Sequence, residues 1–169
     1  IAADMLDTSR VVVDTGQDIE ELLLIFTPQV TDRTVTLDLV SGFNLVSWNV
    51  DTAVDSTPAI VEALGDRLVR VYGFETDSLN PNVSFGTGPK QYDPNVPFGF
   101  NDLQFTDHRL AYWLQVDADT TLAIEGMPLT PSAIDIPLVD GFSLIAYMPS
   151  DSISVEDVVA PVAGDLVRV

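Results

Sequence analysis

Residues 34–39 alternate, with Val35, Leu37 and Leu39 on one face and Thr34, Thr36 and Asp38 on the other. Successive side chains of a strand point to opposite faces, so this run predicts a half-buried antiparallel strand. Beyond Gly42, the residues Phe43, Leu45 and Ser47 share one parity and Asn44, Val46 and Trp48 the other. Both faces carry apolar groups, which predicts a central strand covered on both sides. Residues 57–65 read as a short helix, with Thr57 as N-cap, Pro58 at the first helical position and Gly65 as the stop. Strands are expected at residues 68–72, 109–116 and 120–124, and at 133–139, where the alternation of 34–39 returns. The β-branched run Val11, Val12, Val13 and the apolar run 22–26 read as two further strands.

The pattern repeats. With a shift of 99 residues, Arg10 falls on Arg109, Asp18 on Asp117, Ile25 on Ile124 and Thr31 on Thr130. Leu39, Val40, Gly42, Phe43 and Leu45 fall on Leu138, Val139, Gly141, Phe142 and Leu144, and Gly65 and Asp66 on Gly164 and Asp165. A fixed period of this kind marks a repeat architecture. Residues 1–70 are one copy and residues 100–169 the other, and each copy carries one short helix, the second capped by Ser154. Residues 71–99 have no counterpart. They are rich in Pro, Gly and Asn and read as an excursion with one hairpin, 83–85 against 90–92. The expected fold is all-β and mainly antiparallel, with internally duplicated sandwich-like or barrel-like halves that can pair as one body.

The order of the motifs adds to this. Phe43-Asn44-Leu45-Val46-Ser47 after Gly42 is followed by Ala111-Tyr112-Trp113-Leu114, by Thr121-Leu122-Ala123-Ile124-Glu125-Gly126, and by a second Gly141-Phe142-Ser143-Leu144-Ile145. This resembles the GWNLVS…GYW…TLTIxG repeat modules of large secreted and cell-surface bacterial proteins. The chain departs from that pattern at Phe43 and Phe142, where the modules carry Trp, and at Ala111, where they carry Gly. The resemblance implies an extracellular β-rich repeat of structural or adhesive type and supplies no catalytic residues.

Charge narrows the partners. Of 169 residues, 26 are acidic and 7 basic, for a net charge of −19. Such a surface has little cationic charge with which to displace counterions from nucleic acid, and it is repelled by anionic lipid. High salt or bound Ca²⁺ would both suit it, and the plainer reading is a soluble acidic surface with no further role. The absence of cysteine removes disulfides, thiolate nucleophiles and Cys-ligated zinc together. No apolar run is long enough to insert into a membrane. The first residue, Ile1, and the last, Val169, in an apolar run, read as cuts within a longer polypeptide.

Candidate chemistry is sparse. His108, the single histidine, lies between Asp107 and Arg109 and reads as a solvated loop residue. Asp14 and Asp18, and Asp117 and Asp119, stand at turns of the two copies, where paired carboxylates could chelate Ca²⁺; the EF-hand spacing is absent, and solvated turn aspartates are the favoured reading. Twenty aspartates offer carboxylate pairs by chance, so a glycosidase pair is not favoured. Trp48, Tyr112 and Trp113 form either core or an aromatic platform for sugar rings, and Phe98 and Phe100, in the excursion, are the better placed for exposed contacts. The sequence is therefore read as a non-enzymatic extracellular or cell-surface module without a resident cofactor. It would serve structure, assembly or adhesion, pairing strands with other copies of itself or with flanking domains. The alternative is a carbohydrate-binding module that holds glycan on exposed aromatics.

Overall fold

The computed structural model describes residues 31–75, 88–138, 140–149 and 151–167. The strands expected at residues 11–13 and 22–26, and the first strand of the hairpin at 83–85, lie outside them. Seven strands and two short α-helices are present among the described residues: β1 (Arg33–Leu39), β2 (Gly42–Val46), β3 (Val50–Asp51), α1 (Thr57–Val61), β4 (Leu68–Glu75), β5 (Gly88–Tyr92), β6 (Tyr112–Val116), β7 (Thr120–Pro128) and α2 (Val155–Val159). Every strand pair is antiparallel.

Two sheets form, one ordered β1-β7-β3 and the other β2-β6-β4-β5. In the first, Arg33 lies opposite Gly126 and Leu39 opposite Thr120. In the second, Leu45, Trp113 and Tyr72 stand in one row across β2, β6 and β4. Thus β1 and β2, early in the chain, take their partners from β7 and β6, late in it. Leu39, Val50, Leu122 and Ile124 of one sheet share a core with Val71, Leu114 and Val116 of the other, and Val61 and Leu64 close it. Period-two patterning places these residues inward, and burial of a Leu or Val contributes about 1.5–3 kcal/mol each.

Glycine supplies the geometry where side chains cannot. Gly126 has Asp51 O only 2.3 Å from where a Cβ would sit, so β3 crosses β7 there because the residue has no side chain. Gly65, at φ 51°, ends the helical segment after α1, as the sequence indicates.

Four expectations are corrected. Ser56, not Thr57, is the N-cap of α1; Thr57 is the first helical residue and fully buried, with Pro58 second. Residues 55–57 are fixed instead by backbone bonds from Thr57 N to Gln104 O (2.9 Å) and from Thr106 N to Asp55 O (2.7 Å). Among the described residues β2 is an edge strand, and Phe43 and Leu45 point outward at 57% and 52% exposure. Residues 133–139 form no strand among the described residues; a 3-10 turn at Pro131–Ala133 is followed by irregular chain. Residues 109–111 do not join β6, which begins at Tyr112; Leu110 instead makes an isolated bridge to Ile145. Ser154 does cap α2, accepting a bond from Asp157 N at 3.1 Å.

Candidate interaction site

The outer face of the four-stranded sheet is built by strand parity. In β6 the side chains of Tyr112, Leu114 and Val116 point inward and are buried, so Trp113 between them points out and is 40% exposed. On β2 the same parity exposes Phe43 and Leu45. β4 adds Tyr72 and Phe74, half-buried, with Arg70 at the end of the row. Cross-strand neighbours touch: the Phe43 and Tyr72 rings lie 6.0 Å apart. The face is apolar and aromatic at its centre, with Gln91 and Gln115 beside it. An exposed apolar face of this kind is a candidate for an interaction site.

Phe142 reaches the same face. Phe142, the counterpart of Phe43, packs edge-on against Phe74 with centroids 5.1 Å apart. Residues 144–146 then run beside 109–111, with Ala111 N donating to Leu144 O (3.3 Å) and Ala146 N to Arg109 O (2.9 Å). Ser47 Oγ accepts from Tyr147 N at 3.1 Å, and the Asn49 amide donates to Met148 O at 3.1 Å. An open groove of about 390 Å³ lies between the copies, lined by Arg33, Val35, Trp48, Asn49, Tyr147 and Pro149.

The aromatic residues divide. Trp48 and Tyr112 are core, 3% and 0% exposed, their rings stacked at 5.4 Å and 16°. The Tyr112 hydroxyl accepts a bond from Asp107 N at 2.7 Å, so its polar end is satisfied inside. Of that trio only Trp113 lies on the surface. Phe98 and Phe100 occupy a 3-10 turn apart from the sheet face, 42% and 85% exposed, with Phe98 edge-on to Phe105 at 6.3 Å. Their loop is fixed by Asn101, whose side-chain Oδ1 accepts from Asp93 N at 2.7 Å, and by the Arg70–Asp93 ion pair at 2.5 Å. The backbone N–H of Asn95, then the Arg70 guanidinium, hold the Asp93 carboxyl below its usual range.

The turn aspartates serve the backbone. Asp119 Oδ1 accepts from Ser41 N at 2.8 Å, and Asp117 O accepts from Ser41 Oγ at 3.0 Å. Asp14 and Asp18 lie outside the described residues. No cluster of three metal-ligating side chains occurs among the described residues. His108 Nδ1 is 3.7 Å from Asp51 Oδ1. Beside it, burial raises the Asp107 carboxyl, but bonds from Arg109, one at 2.5 Å, overcome this and hold it below its usual range.

One buried group has no counterpart among the residues the sequence singled out. Glu75, at the end of β4, is 2% exposed and neither carboxylate oxygen has a hydrogen-bond partner among the described residues. Burial pushes it up to about 7, Lys90 pulls it down, and Asp107 and Asp102 raise it further. Its inward parity follows from Val71 and Gly73 on the same strand, which is a legible signal.

The chain matches no protein-family profile, no curated protein and no solved structure. Among the described residues, no helix is long and apolar enough to cross a membrane.

Proposed function

We propose that this chain is a non-enzymatic structural or assembly module of an extracellular, surface-borne protein, and that it associates with further copies of itself or with flanking domains. The observation that carries the reading is the sheet edge at β2, which has no further strand partner among the described residues, with Phe43 and Leu45 both more than half exposed on its outer face and Trp113 beside them. An edge strand presents unpaired backbone donors and acceptors, and an apolar face adds driving force to pairing. Sedimentation of the purified chain over a range of concentrations tests it. The module self-associates, and Leu45→Lys weakens the association by placing a charge on the face. A strictly monomeric chain at high concentration, with and without salt and Ca²⁺, overturns the reading.

A second reading, glycan binding, is favoured by the row in which Trp113 lies opposite Tyr72 and by the glutamines beside it. Aromatic faces hold sugar rings while neighbouring amides bond their hydroxyls. Glycan-array binding abolished by Trp113→Ala, with the fold retained, would favour it over assembly.

A further inference from the structure

Glu75 closes β4 at a weakly held end of the four-stranded sheet. The register of β4 with β6 stops at Tyr72, so among the described residues Gly73, Phe74 and Glu75 pair with β5 alone. Glu75 lies opposite Gly88, which has no side chain to meet it, and Phe74 lies opposite Pro89, which brings no backbone N–H to the ladder. From Gln91 onward β5 is clamped on its other side. Gln91 N donates to Asp102 Oδ1 at 2.6 Å, Leu103 N to Gln91 O at 3.0 Å, and Asp93 N to Asn101 Oδ1 at 2.7 Å. Gly88, Pro89 and Lys90 stand outside that clamp.

The groups buried at this end are charged ones. Glu75 and Lys90 are 2% and 5% exposed, and neither oxygen of Glu75 is hydrogen-bonded among the described residues. Gly73 lies opposite Lys90, and a Cβ there would sit 3.1 Å from Tyr112 Cε1 and 3.3 Å from Leu103 Cδ1, so the Tyr112 ring fills the space beside the carboxyl. Among the described residues the titratable groups that face Glu75 are Lys90 on β5, Asp102 and Asp107 between β5 and β6, and Tyr112 on β6. Three of these are engaged elsewhere: Asp102 with Gln91 N, Asp107 with Arg109, and the Tyr112 hydroxyl with Asp107 N. Two cations, Lys90 and Arg109, stand against two anions, Asp102 and Asp107, and an ionised Glu75 makes a third anion. A buried charge without hydrogen bonds is costly, and a neutral carboxyl much less so.

We propose that residues 73–75 and 88–90 form a proton-operated latch: with Glu75 protonated the β4–β5 end stays closed, and with Glu75 ionised it opens as far as the clamp at Gln91, letting water reach the carboxylate. The direction of the response follows from linkage. Burial, the largest cause, lifts the closed carboxyl from 4.5 to about 7, and opening returns it to water. The latch is therefore tightest below pH 4.5, loosens as pH rises towards 7 and changes no further above. Phe74, in the moving stretch, carries Phe142 on the outer face, so the latch also sets how firmly that contact is held. Opening needs no second copy, so the latch works whether or not the chain associates.

Hydrogen exchange of the full-length chain, corrected for the intrinsic pH dependence of amide exchange, tests this. Protection at the amides of residues 73–75 and of Lys90 is expected to fall about tenfold or more between pH 5 and pH 8, with opening there easier than at β1 and β7. Glu75→Gln keeps its pH 5 protection at pH 8. His108→Gln, which removes the only imidazole of the chain, leaves the fall in place. Protection that is flat with pH in the parent chain overturns the latch. So does a fall that survives in Glu75→Gln or vanishes in His108→Gln. If residues 73–75 and 90 open with the same free energy as β1 and β7 at both pH values, the carboxylate is released only by global unfolding, and the latch is overturned.

Discussion

Asn49 and Met148 are 99 residues apart, one repeat in the sequence, and they touch: the Asn49 side-chain amide donates to the Met148 carbonyl at 3.1 Å. Ser47 holds the neighbouring Tyr147 backbone in the same way. The two copies of the apolar motif therefore meet along their own equivalent segments. These bonds are few and lie near the surface, and a typical hydrogen bond contributes only about 0.5–1.5 kcal/mol. Asn49→Ala combined with Ser47→Ala is expected to raise amide exchange across residues 144–149 while changing the melting temperature of the sheets little. Unchanged exchange there would show that the second copy is held by other contacts, such as Phe142 on Phe74.

The crossing of β3 over β7 gives a harder test. A methyl at position 126 would meet the Asp51 carbonyl and force the backbones apart. Gly126→Ala is expected to cost about 3 kcal/mol or more, at the upper end of single-substitution effects. Gly99→Ala, where a Cβ meets nothing within 4 Å, is the control and should change stability by less than about 0.5 kcal/mol. Chemical denaturation of the two variants decides it.

The aromatic pair in the core should separate packing from hydrogen bonding. Trp48→Ala removes the ring stacked on Tyr112 and is expected to cost about 3–5 kcal/mol. Tyr112→Phe keeps the ring but leaves Asp107 N–H without its acceptor, for about 1–3 kcal/mol. Trp113→Ala, on the surface, should cost far less than Trp48→Ala in the same denaturation series.

Glu75 predicts a pH dependence of unusual sign for a carboxylate. Its ordinary value is 4.5 and the fold raises it to about 7, chiefly by burial. The folded chain thus binds the extra proton between those values, and unfolding releases it. The stability linked to this group is complete below pH 4.5, falls as pH rises towards 7, and is flat above. Glu75→Gln removes that slope. It should be more stable than the parent at pH 8, by roughly 1–2 kcal/mol after discounting for solvent screening, and equal to it near pH 4. A variant less stable than the parent at pH 8 would mean that the ionised carboxylate is wanted, through its attraction to Lys90.

Alternation made β1 legible, because Val35, Leu37 and Leu39 face inward as their parity indicates. Parity also separates Tyr112 from Trp113, but it does not say which of the two faces is covered. Phe43 and Leu45 therefore read as one of two covered faces of a central strand, whereas among the described residues they are the outer side of an edge. Residues 132–138 carry the pattern of β1 without its pairing, since alternation records which face is apolar and not whether a partner strand is present. Trp48 could not be assigned from composition, because a buried ring and a sugar platform use the same residue type. Glu75 was open to discovery through its parity with Val71, but a lone acidic residue at a strand end reads as solvated.

The antiparallel register that places Arg33 opposite Gly126 also fixes how the folded unit bears load. The chain enters β1 and leaves β7 at the same end of one ladder. Tension between residues 31 and 130 is applied there, along inter-strand bonds that lie perpendicular to the strands. The bonds open one after another from that end, not all together in shear. Under such tension the β1–β7 seam is expected to peel from that end before the four-stranded sheet opens, resisted there by β3, which pairs with Met127 and Pro128.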